Sequence, residues 1–205
     1  PQFLALRIMF WLALGYPLLA HLAVVFQEPR LQWAALVWLS AISLWGALAS
    51  RRIWAWSALA VSAFVLYVLV LAGGGLYALY VPPAAIPAAF LIVFARSLRP
   101  GETPMINRIA ETLRGEPLPP ALQIYARQVT QVWCVVFVAM FVSAIACAAW
   151  ATPELWSIMT NFVHYIVLAA VFVLEFAYRR HRFRDLENWG LLEYLRRLVG
   201  TRVRY

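Results

Sequence analysis

The sequence predicts an all-α membrane protein, a polytopic bundle of about six transmembrane helices. Of its 205 residues, 64% are apolar and 13% are charged, whereas a soluble domain has about 45–50% apolar and about 25% charged residues. The apolar residues form unbroken runs of about 20 residues, as membrane-spanning helices require, and they do not alternate as in transmembrane strands. These observations exclude an ordinary soluble domain and a disordered chain.

Six apolar runs are long enough to cross a bilayer, and they leave too few residues for a separate soluble domain. We therefore expect one membrane domain over residues 1–205. The runs lie at 3–26, 31–49, 53–72, 76–95, 129–150 and 155–178. Because Pro82, Pro83 and Pro87 fall inside the fourth run, we expect its first half to be broken or re-entrant.

Two polar segments complete the chain, a loop at 96–128 and a tail at 179–205. Met105–Arg114 is expected to form a short surface helix. Residues 186–199 are expected to form a second one, because leucines recur there at helical spacing against charged residues.

The arginine distribution orients the bundle. The net charge is +8 and all 17 basic residues are arginine. With six spans, every arginine except Arg30 falls on one side of the membrane. The positive-inside rule then places that side, with both termini, the loop and the tail, in the cytoplasm.

Four polar residues of the sixth run share one helix face. They are Asn161, His164, Glu175 and Arg179, separated by 3, 11 and 4 residues, which places them within about 60° of each other. An ionisable residue inside a span is costly and is a functional candidate. This stripe fits a proton relay or a head-group site. Alternatively, Asn161 and His164 lie near the outer interface and Glu175 simply pairs with Arg179.

A second polar stripe, with Arg127 and Thr130, begins the fifth run. Arg127 and Arg179 are both expected at the cytoplasmic edge, where they could bind a phosphate between them. The alternative is interfacial snorkelling. Arg96 and Arg99, at the start of the loop, are further candidates for an anionic head group.

The loop and the tail also carry candidates for docking a cytoplasmic partner. A loop this long and this rich in Arg, Pro and Gly is often functional. The alternative is a surface that binds anionic lipids. The docking candidates are Arg108, Arg114, Arg196 and Arg197.

Several catalytic chemistries are excluded or weakened. In the segment 181–185, His181 and Asp185 enclose three residues, whereas the common glycerolipid acyltransferase motif needs four. Asp185 is the only Asp, so no paired-Asp motif can hold Mg²⁺, and there is no P-loop or G-x-S-x-G motif. No metal site is predicted, because the three His are scattered along the chain and the two Cys fall on opposite faces of one helix. No cofactor is expected either. The basic tail matches no recognised nucleic-acid-binding fold.

A little under half of the chain resembles a family of small bacterial inner-membrane proteins that occur in aryl-polyene and xanthomonadin-type pigment gene clusters. The resemblance is carried by the motifs at 94–101, 104–106, 118–120 and 125–130, by Trp133, Trp156, Asn161 and Glu175, and by 178–183. Gln128 stands where the family usually has the second Arg of an Arg-Arg-Val-Thr motif. The family is loosely labelled "ketosynthase", but no thiolase-type domain or Cys-His-His set fits in this chain. The resemblance implies the bacterial inner membrane and a role around a polyene lipid made on acidic acyl carrier proteins.

Three functional hypotheses follow. The preferred one is a protein that binds or translocates an anionic, lipid-like intermediate through Arg96, Arg99, Arg127 and Arg179, with Thr130 and Asn161 beside them. The second is a membrane transferase that attaches an acyl or polyene chain to a lipid acceptor, with Glu175 or His164 as the base. The third is a non-catalytic scaffold for cytoplasmic synthesis enzymes. The expected partners are membrane lipids and an acyl carrier protein or another such enzyme, and the sequence leaves the oligomeric state open.

Overall fold

The structure, a computed structural model, describes residues 15–183, and every regular element in that part of the chain is helical. The all-α prediction is therefore confirmed. In chain order the helices are α1 (Gly15–Val25), α2 (Pro29–Ser43), α3 (Trp45–Ala49), α4 (Ile53–Leu71), α5 (Gly75–Ser97), α6 (Met105–Arg114), α7 (Pro120–Trp150), α8 (Pro153–Ile158), a π-helical turn (Met159–Val163) and α9 (His164–Arg182).

Within residues 15–183, four helical segments are long and apolar enough to cross a membrane. They are α4, α5, α7 and the continuous segment Pro153–Arg182, in which the π-helical turn joins α8 to α9. Only 11–22% of the residues in their apolar windows are buried inside the protein. Large side chains such as Phe64 and Leu174 point outward. Such a continuous apolar surface is unfavourable in water but suits contact with lipid.

The proline-containing segment differs from the expectation. Helix α5 runs unbroken through Pro82, Pro83 and Pro87, so the prediction of a broken or re-entrant segment was wrong. Proline is tolerated inside an apolar spanning helix because neighbouring groups and small local adjustments satisfy the carbonyls that it leaves without a donor.

The first two apolar runs are less regular than expected. The second run is divided at Leu44, whose backbone (φ −93°, ψ 0°) separates α2 from α3. The hydroxyl groups of Ser40 and Ser43 donate to the carbonyls four residues earlier, which is a bond that bends helices. The first run is described only from Gly15. A total of six spans therefore stays a prediction.

The polar loop is more helical than expected. Helix α6 forms at Met105–Arg114, as predicted, and ends at Gly115 in the left-handed conformation (φ 76°) that favours glycine. Helix α7 begins at Pro120, well before residue 129, where the fifth run was expected to start. The predicted tail helix at 186–199 lies outside the described residues.

The described residues group into two compact units, and the expectation of one membrane domain stays a prediction. Unit 1 comprises 15–85 and 142–165, and unit 2 comprises 86–141 and 166–183. In unit 1, small side chains let the helices approach closely, since Ala20, Ala23 and Ala35 are almost completely buried. Trp156 of α8 is the largest fully buried side chain of this core and contacts the Tyr80 ring, with 4.3 Å between ring centroids.

Unit 2 has two clusters of buried apolar residues. One is aromatic and sulfur-containing, with Phe94, Phe137 and Met140. The other joins the start of α7 to α6 and to the end of α9, through Leu118, Leu122, Ala126 and their neighbours Ile106, Ala110 and Phe183. Helix α6 is thus packed into unit 2 by its apolar face, and this face forms one wall of a cavity.

Candidate functional site

A cavity of about 240 Å³ lies within unit 2. Helix α6 forms one wall of it with Ile106, Ile109 and Leu113, and α5, α7 and α9 supply the others. Most of its lining is apolar. The remaining lining residues are Phe90, Phe94, Ala110, Arg114, Leu118, Leu122, Tyr125, Ala126, Val129, Trp133, Phe137, Phe172, Glu175 and Arg179.

Four aromatic rings form a continuous apolar surface in this cavity. The Phe137 ring is central: it lies near-parallel to Phe90 at 5.4 Å and to Trp133 at 5.6 Å, and it meets Phe94 edge-to-face at 5.2 Å. Such packed rings are rigid, because each holds its neighbour in one orientation. The cavity therefore offers a preformed apolar surface to a chain or to a ring system.

The polar part of the lining is centred on Glu175. Its Oε1 atom accepts a hydrogen bond from Arg179 Nε at 2.9 Å and one from the Tyr125 hydroxyl group at 3.2 Å. Both charged side chains are largely shielded from solvent, with 11% of Arg179 and 16% of Glu175 exposed. An ion pair screened this little by water is stronger than a surface pair, which typically contributes about 0–1 kcal/mol. The one-turn spacing of Glu175 and Arg179 on α9 brings the pair together.

Arg114 supplies a second cationic group from the last turn of α6. Its side chain is 16% exposed, and its Nη2 atom contacts the exposed carboxylate of Glu116 at 3.2 Å. Its Nε atom is buried and has no hydrogen-bond partner among the described residues. Leaving a buried donor on a charged group unbonded costs several kcal/mol in general, so an anion bound beside Arg114 would relieve that cost.

Hydrogen bonds to neighbouring helices fix the first turn of α6. The Met105 amide donates to Ser97 Oγ at 2.9 Å, and the Ile106 amide donates to Thr130 Oγ1 at 3.3 Å. These amides have no partner within their own helix, so side chains of α5 and α7 satisfy them instead. Thr130, a predicted ligand residue, is fully buried and positions α6; it is absent from the cavity lining.

The predicted arginine candidates separate into two groups. Arg179 lines the cavity, whereas Arg96, Arg99 and Arg127 are exposed and do not line it. Arg127 Nη2 donates to the Leu98 carbonyl at 2.8 Å, near the carboxyl end of α5. The described structure therefore brings Arg179 together with Arg114, not with Arg127, at this cavity.

The predicted docking residues are also divided. Arg108 is exposed and pairs with Glu102 at 2.7 Å, whereas Arg114 lines the cavity. Arg196 and Arg197 lie outside the described residues.

The polar stripe of the sixth run is divided between the two units. In unit 1, His164 Nε2 lies 2.9 Å from Ser143 Oγ, and both Asn161 Nδ2 and His21 Nδ1 lie 3.0 Å from Ser157 Oγ. Ser157, Asn161 and His164 are all buried. We refer to these five residues as the unit 1 polar cluster. Glu175 and Arg179, by contrast, belong to unit 2.

Two parts of the cavity were missed by sequence reasoning. Tyr125 precedes Glu175 by 50 residues, and no spacing rule relates positions so far apart. Arg114 was assigned to docking because it lies in a polar loop. The amphipathic pattern of Met105–Arg114 was the available clue, because a helix with an apolar face must bury it against something.

The chemistry available at the cavity is electrostatic and apolar. Among the described residues of its lining there is no Ser, Cys or His, and Glu175 is the one carboxyl group. No group of three His, Cys, Asp or Glu side chains in the part of the chain that the structure describes is placed to hold a metal ion. Comparisons with protein-family models, curated proteins and solved structures give no match. The candidate site therefore rests on its geometry, which fits an amphiphile with an anionic end.

Proposed function

We propose that this protein is an integral membrane protein that binds, and moves across or within the bilayer, an anionic lipid-like molecule held in the unit 2 cavity. The observation that carries the proposal is the composition of the lining. One cavity combines packed aromatic rings with two arginines and a tyrosine hydroxyl group. Ligand sites typically consist of an apolar pocket with a few polar groups that fix orientation.

The charge on the lining favours an anion. Arg114 and Arg179 carry two positive charges and Glu175 carries one negative charge, which leaves a net positive charge on the lining residues. Guanidinium groups suit carboxylate and phosphate because their planar array of donors can bond two oxygens at once. In the cavity, where water screens charges poorly, such a bond is stronger than at the surface.

The proposed topology has six spans and both termini in the cytoplasm of a bacterial inner membrane. Four spanning segments are supported by length and composition. Helices α2 and α3 together cover 29–49, which at about 1.5 Å per residue gives about 30 Å, the thickness of the hydrocarbon core. In this topology α6 lies at the cytoplasmic side, where a water-soluble enzyme can deliver an amphiphile.

Glu175 is our candidate for the proton carrier if movement of the ligand is coupled to protons. Its carboxylate already accepts bonds from Arg179 and Tyr125. An anionic ligand that contacts Arg179 would act on the same ion pair. Ligand binding and proton movement would then be linked at one group.

The transferase hypothesis receives less support from this geometry. Of the two alternative bases, Glu175 lines the unit 2 cavity, whereas His164 Nε2 lies 2.9 Å from Ser143 Oγ in unit 1. Among the described lining residues there is no Ser, Cys or His to serve as a nucleophile beside Glu175.

The scaffold hypothesis keeps one supporting observation. Arg96, Arg99 and Arg127 are exposed on unit 2, and Arg127 is bonded to the Leu98 carbonyl beside the other two. Such a positively charged surface could attract an acidic carrier protein. It could serve alongside the cavity, as the place where an aryl-polyene-type intermediate is delivered.

Ligand binding can be tested with cis-parinarate, a fatty acid whose fluorescence rises in an apolar site. With wild-type protein in phosphatidylcholine nanodiscs we expect saturable binding. Arg179→Gln should weaken it about tenfold or more, because a hydrogen bond to a charged group contributes about 1.5–3 kcal/mol. Arg127→Gln is the matched control and should change affinity less than twofold.

Arg179→Lys distinguishes loss of charge from misfolding. Because this variant keeps the positive charge, it should bind the probe more tightly than Arg179→Gln. Equal affinity of wild type, Arg179→Gln and Arg127→Gln would contradict the proposal. The role in the cell is tested by extracting lipids from inner and outer membranes with and without the gene. Retention of a finished lipid in the inner membrane supports transport, whereas accumulation of a carrier-bound precursor supports the transferase or the scaffold.

A further inference from the structure

We infer that the unit 2 cavity selects an amphiphile that has a single apolar chain and carries one negative charge, in preference to two-chain phospholipids and to dianions. This inference rests on the proposed function and specifies its substrate class. It is drawn from the size of the cavity, from the charges on its lining, and from the position of Arg114.

The size of the cavity limits the apolar part of the ligand. Its volume is about 240 Å³. A dry apolar cavity of about 150 Å³ holds one benzene ring, and pockets for drug-sized molecules have about 300–1,000 Å³. The cavity therefore accommodates one chain segment or one small ring system. We expect a second acyl chain to lie outside the rings of Phe90, Phe94, Trp133 and Phe137.

The lining charges limit the charge of the head group. Arg179 and Glu175 balance each other through their 2.9 Å contact. The charge of Arg114 is then only partly balanced. Its neighbour Glu116 is 65% exposed, so water rather than Arg114 stabilises most of the charge of that carboxylate. One bound negative charge would neutralise the charges on the described lining residues. A second negative charge would lose its hydration and gain no cationic partner in return, which is unfavourable in a poorly hydrated site.

The position of Arg114 determines where the head group binds. Its buried Nε atom has no partner in the described part of the chain, and its helix also supplies apolar wall residues such as Ile109 and Leu113. A single ligand can therefore place its chain against α6 and its anionic end on the last turn of the same helix. Tyr125, whose hydroxyl group donates to Glu175, lines the same cavity.

A cavity in unit 1 provides an internal comparison. It has about 570 Å³ and is lined by Trp, Ala, Val, Ile and Leu residues of α2, α3 and α4, with no charged group. A cavity of this kind offers no cationic partner to an anionic end and therefore favours a neutral amphiphile. A preference for the anionic amphiphile is expected of unit 2 alone among these two cavities.

The test measures displacement of cis-parinarate from the protein in phosphatidylcholine nanodiscs at pH 8.5, with empty nanodiscs subtracted. The competitors share twelve-carbon chains: dodecanoate, neutral dodecanol, dodecyl phosphate and dilauroyl phosphatidylglycerol. At this pH dodecyl phosphate is a dianion, because its second pKa is about 6. We expect dodecanoate to displace the probe at least tenfold better than each of the other three. Equal competition by dilauroyl phosphatidylglycerol or by dodecyl phosphate would overturn the inference.

Two variants test the charge argument directly. In Arg114→Gln, the concentrations of dodecanoate and dodecanol that displace the probe should lie within threefold of each other. Arg108→Gln is the control, because Arg108 lies on the same helix but is exposed and paired with Glu102. This control should keep the wild-type ratio of the two concentrations. Glu175→Gln removes the negative charge, so displacement of the probe by dodecyl phosphate should improve at least tenfold relative to displacement by dodecanoate. Glu175→Asp keeps the charge and should leave that ratio unchanged.

The outcomes separate this inference from the proposed function. If cis-parinarate shows no saturable binding, the proposed function fails and the inference fails with it. If the probe binds but Glu175→Gln leaves the ratio of dodecyl phosphate to dodecanoate unchanged, only the inference is overturned.

Discussion

Unit 1 and unit 2 both place polar side chains among apolar helices, but the two units use them differently. In unit 1 the polar cluster is composed of Ser, Asn and His side chains that bond to one another, such as Ser157 with His21 and Asn161. In unit 2 the Arg114, Glu175 and Arg179 side chains line a cavity. Polar groups that satisfy each other hold helices in one arrangement. Charges beside an apolar cavity provide a binding site.

The unit 2 charges give the largest expected effect. Glu175→Gln should abolish transport in proteoliposomes while the protein stays folded, because the variant removes the carboxyl group that the described lining residues supply. Uptake of a radiolabelled anionic amphiphile, with dodecanoate as the probe, and thermal unfolding measure the two properties. Glu102→Gln, which alters an exposed carboxylate, is the control. Full uptake by Glu175→Gln would contradict the role of Glu175.

The core of unit 1 should govern stability and leave binding unchanged. Trp156→Ala removes the largest fully buried side chain and its contact with Tyr80. Substitutions of this kind lower the free energy of unfolding by about 3–5 kcal/mol. Thermal unfolding in detergent should show the loss, while the affinity of the folded variant for cis-parinarate changes less than twofold. A loss of affinity comparable to that of Arg179→Gln would remove the distinction between the units.

The unit 1 polar cluster should behave as a structural element. Ser157→Ala leaves His21 Nδ1 and Asn161 Nδ2 without their shared partner, which costs about 1–3 kcal/mol for each group. Adding Asn161→Leu to Ser157→Ala removes one of the two polar groups that lost their partner. The double variant should therefore recover part of the lost free energy of unfolding. Chemical or thermal unfolding checks both variants. Loss of transport by Ser157→Ala at unchanged stability would indicate a functional role for the cluster instead.

The smallest effect is expected where α6 is attached to its neighbours. Thr130→Val removes the acceptor of the Ile106 amide, a loss of about 1 kcal/mol. Because α6 carries Arg114, the affinity for cis-parinarate should fall two- to fivefold. Thr112→Val, on the exposed side of the same helix, should have no effect on binding. An unchanged affinity of Thr130→Val would show that the anchoring of α6 does not affect the site.

The sequence predicted those features that depend on local pattern. Helical class, four of the six apolar segments and the bounds of α6 follow from hydropathy and periodicity, and these are confirmed. The first half of α5 was wrongly expected to be irregular, because proline was judged by its cost in water, where no neighbouring helix compensates for the lost bond.

The site could be predicted only where its residues are close in sequence. Glu175 and Arg179 were placed together by their one-turn spacing, and the structure confirms their contact. Tyr125 and Arg114 join them through helix packing, which no spacing in the sequence encodes. The shared helix face of His164 and Glu175 was visible in the sequence, but their separation into different units was not.

The most direct test of the central claim is photolabelling with a fatty acid that carries a diazirine group on its chain, followed by peptide mass spectrometry. Protein in phosphatidylcholine nanodiscs would be labelled with and without excess dodecanoate. We predict labels, suppressed by dodecanoate, on the lining residues of unit 2 such as Leu113, Trp133 and Phe137. Labels confined to the Trp33, Trp38 and Trp45 cavity of unit 1, or labels that dodecanoate does not suppress, would contradict the claim that the unit 2 cavity is the binding site.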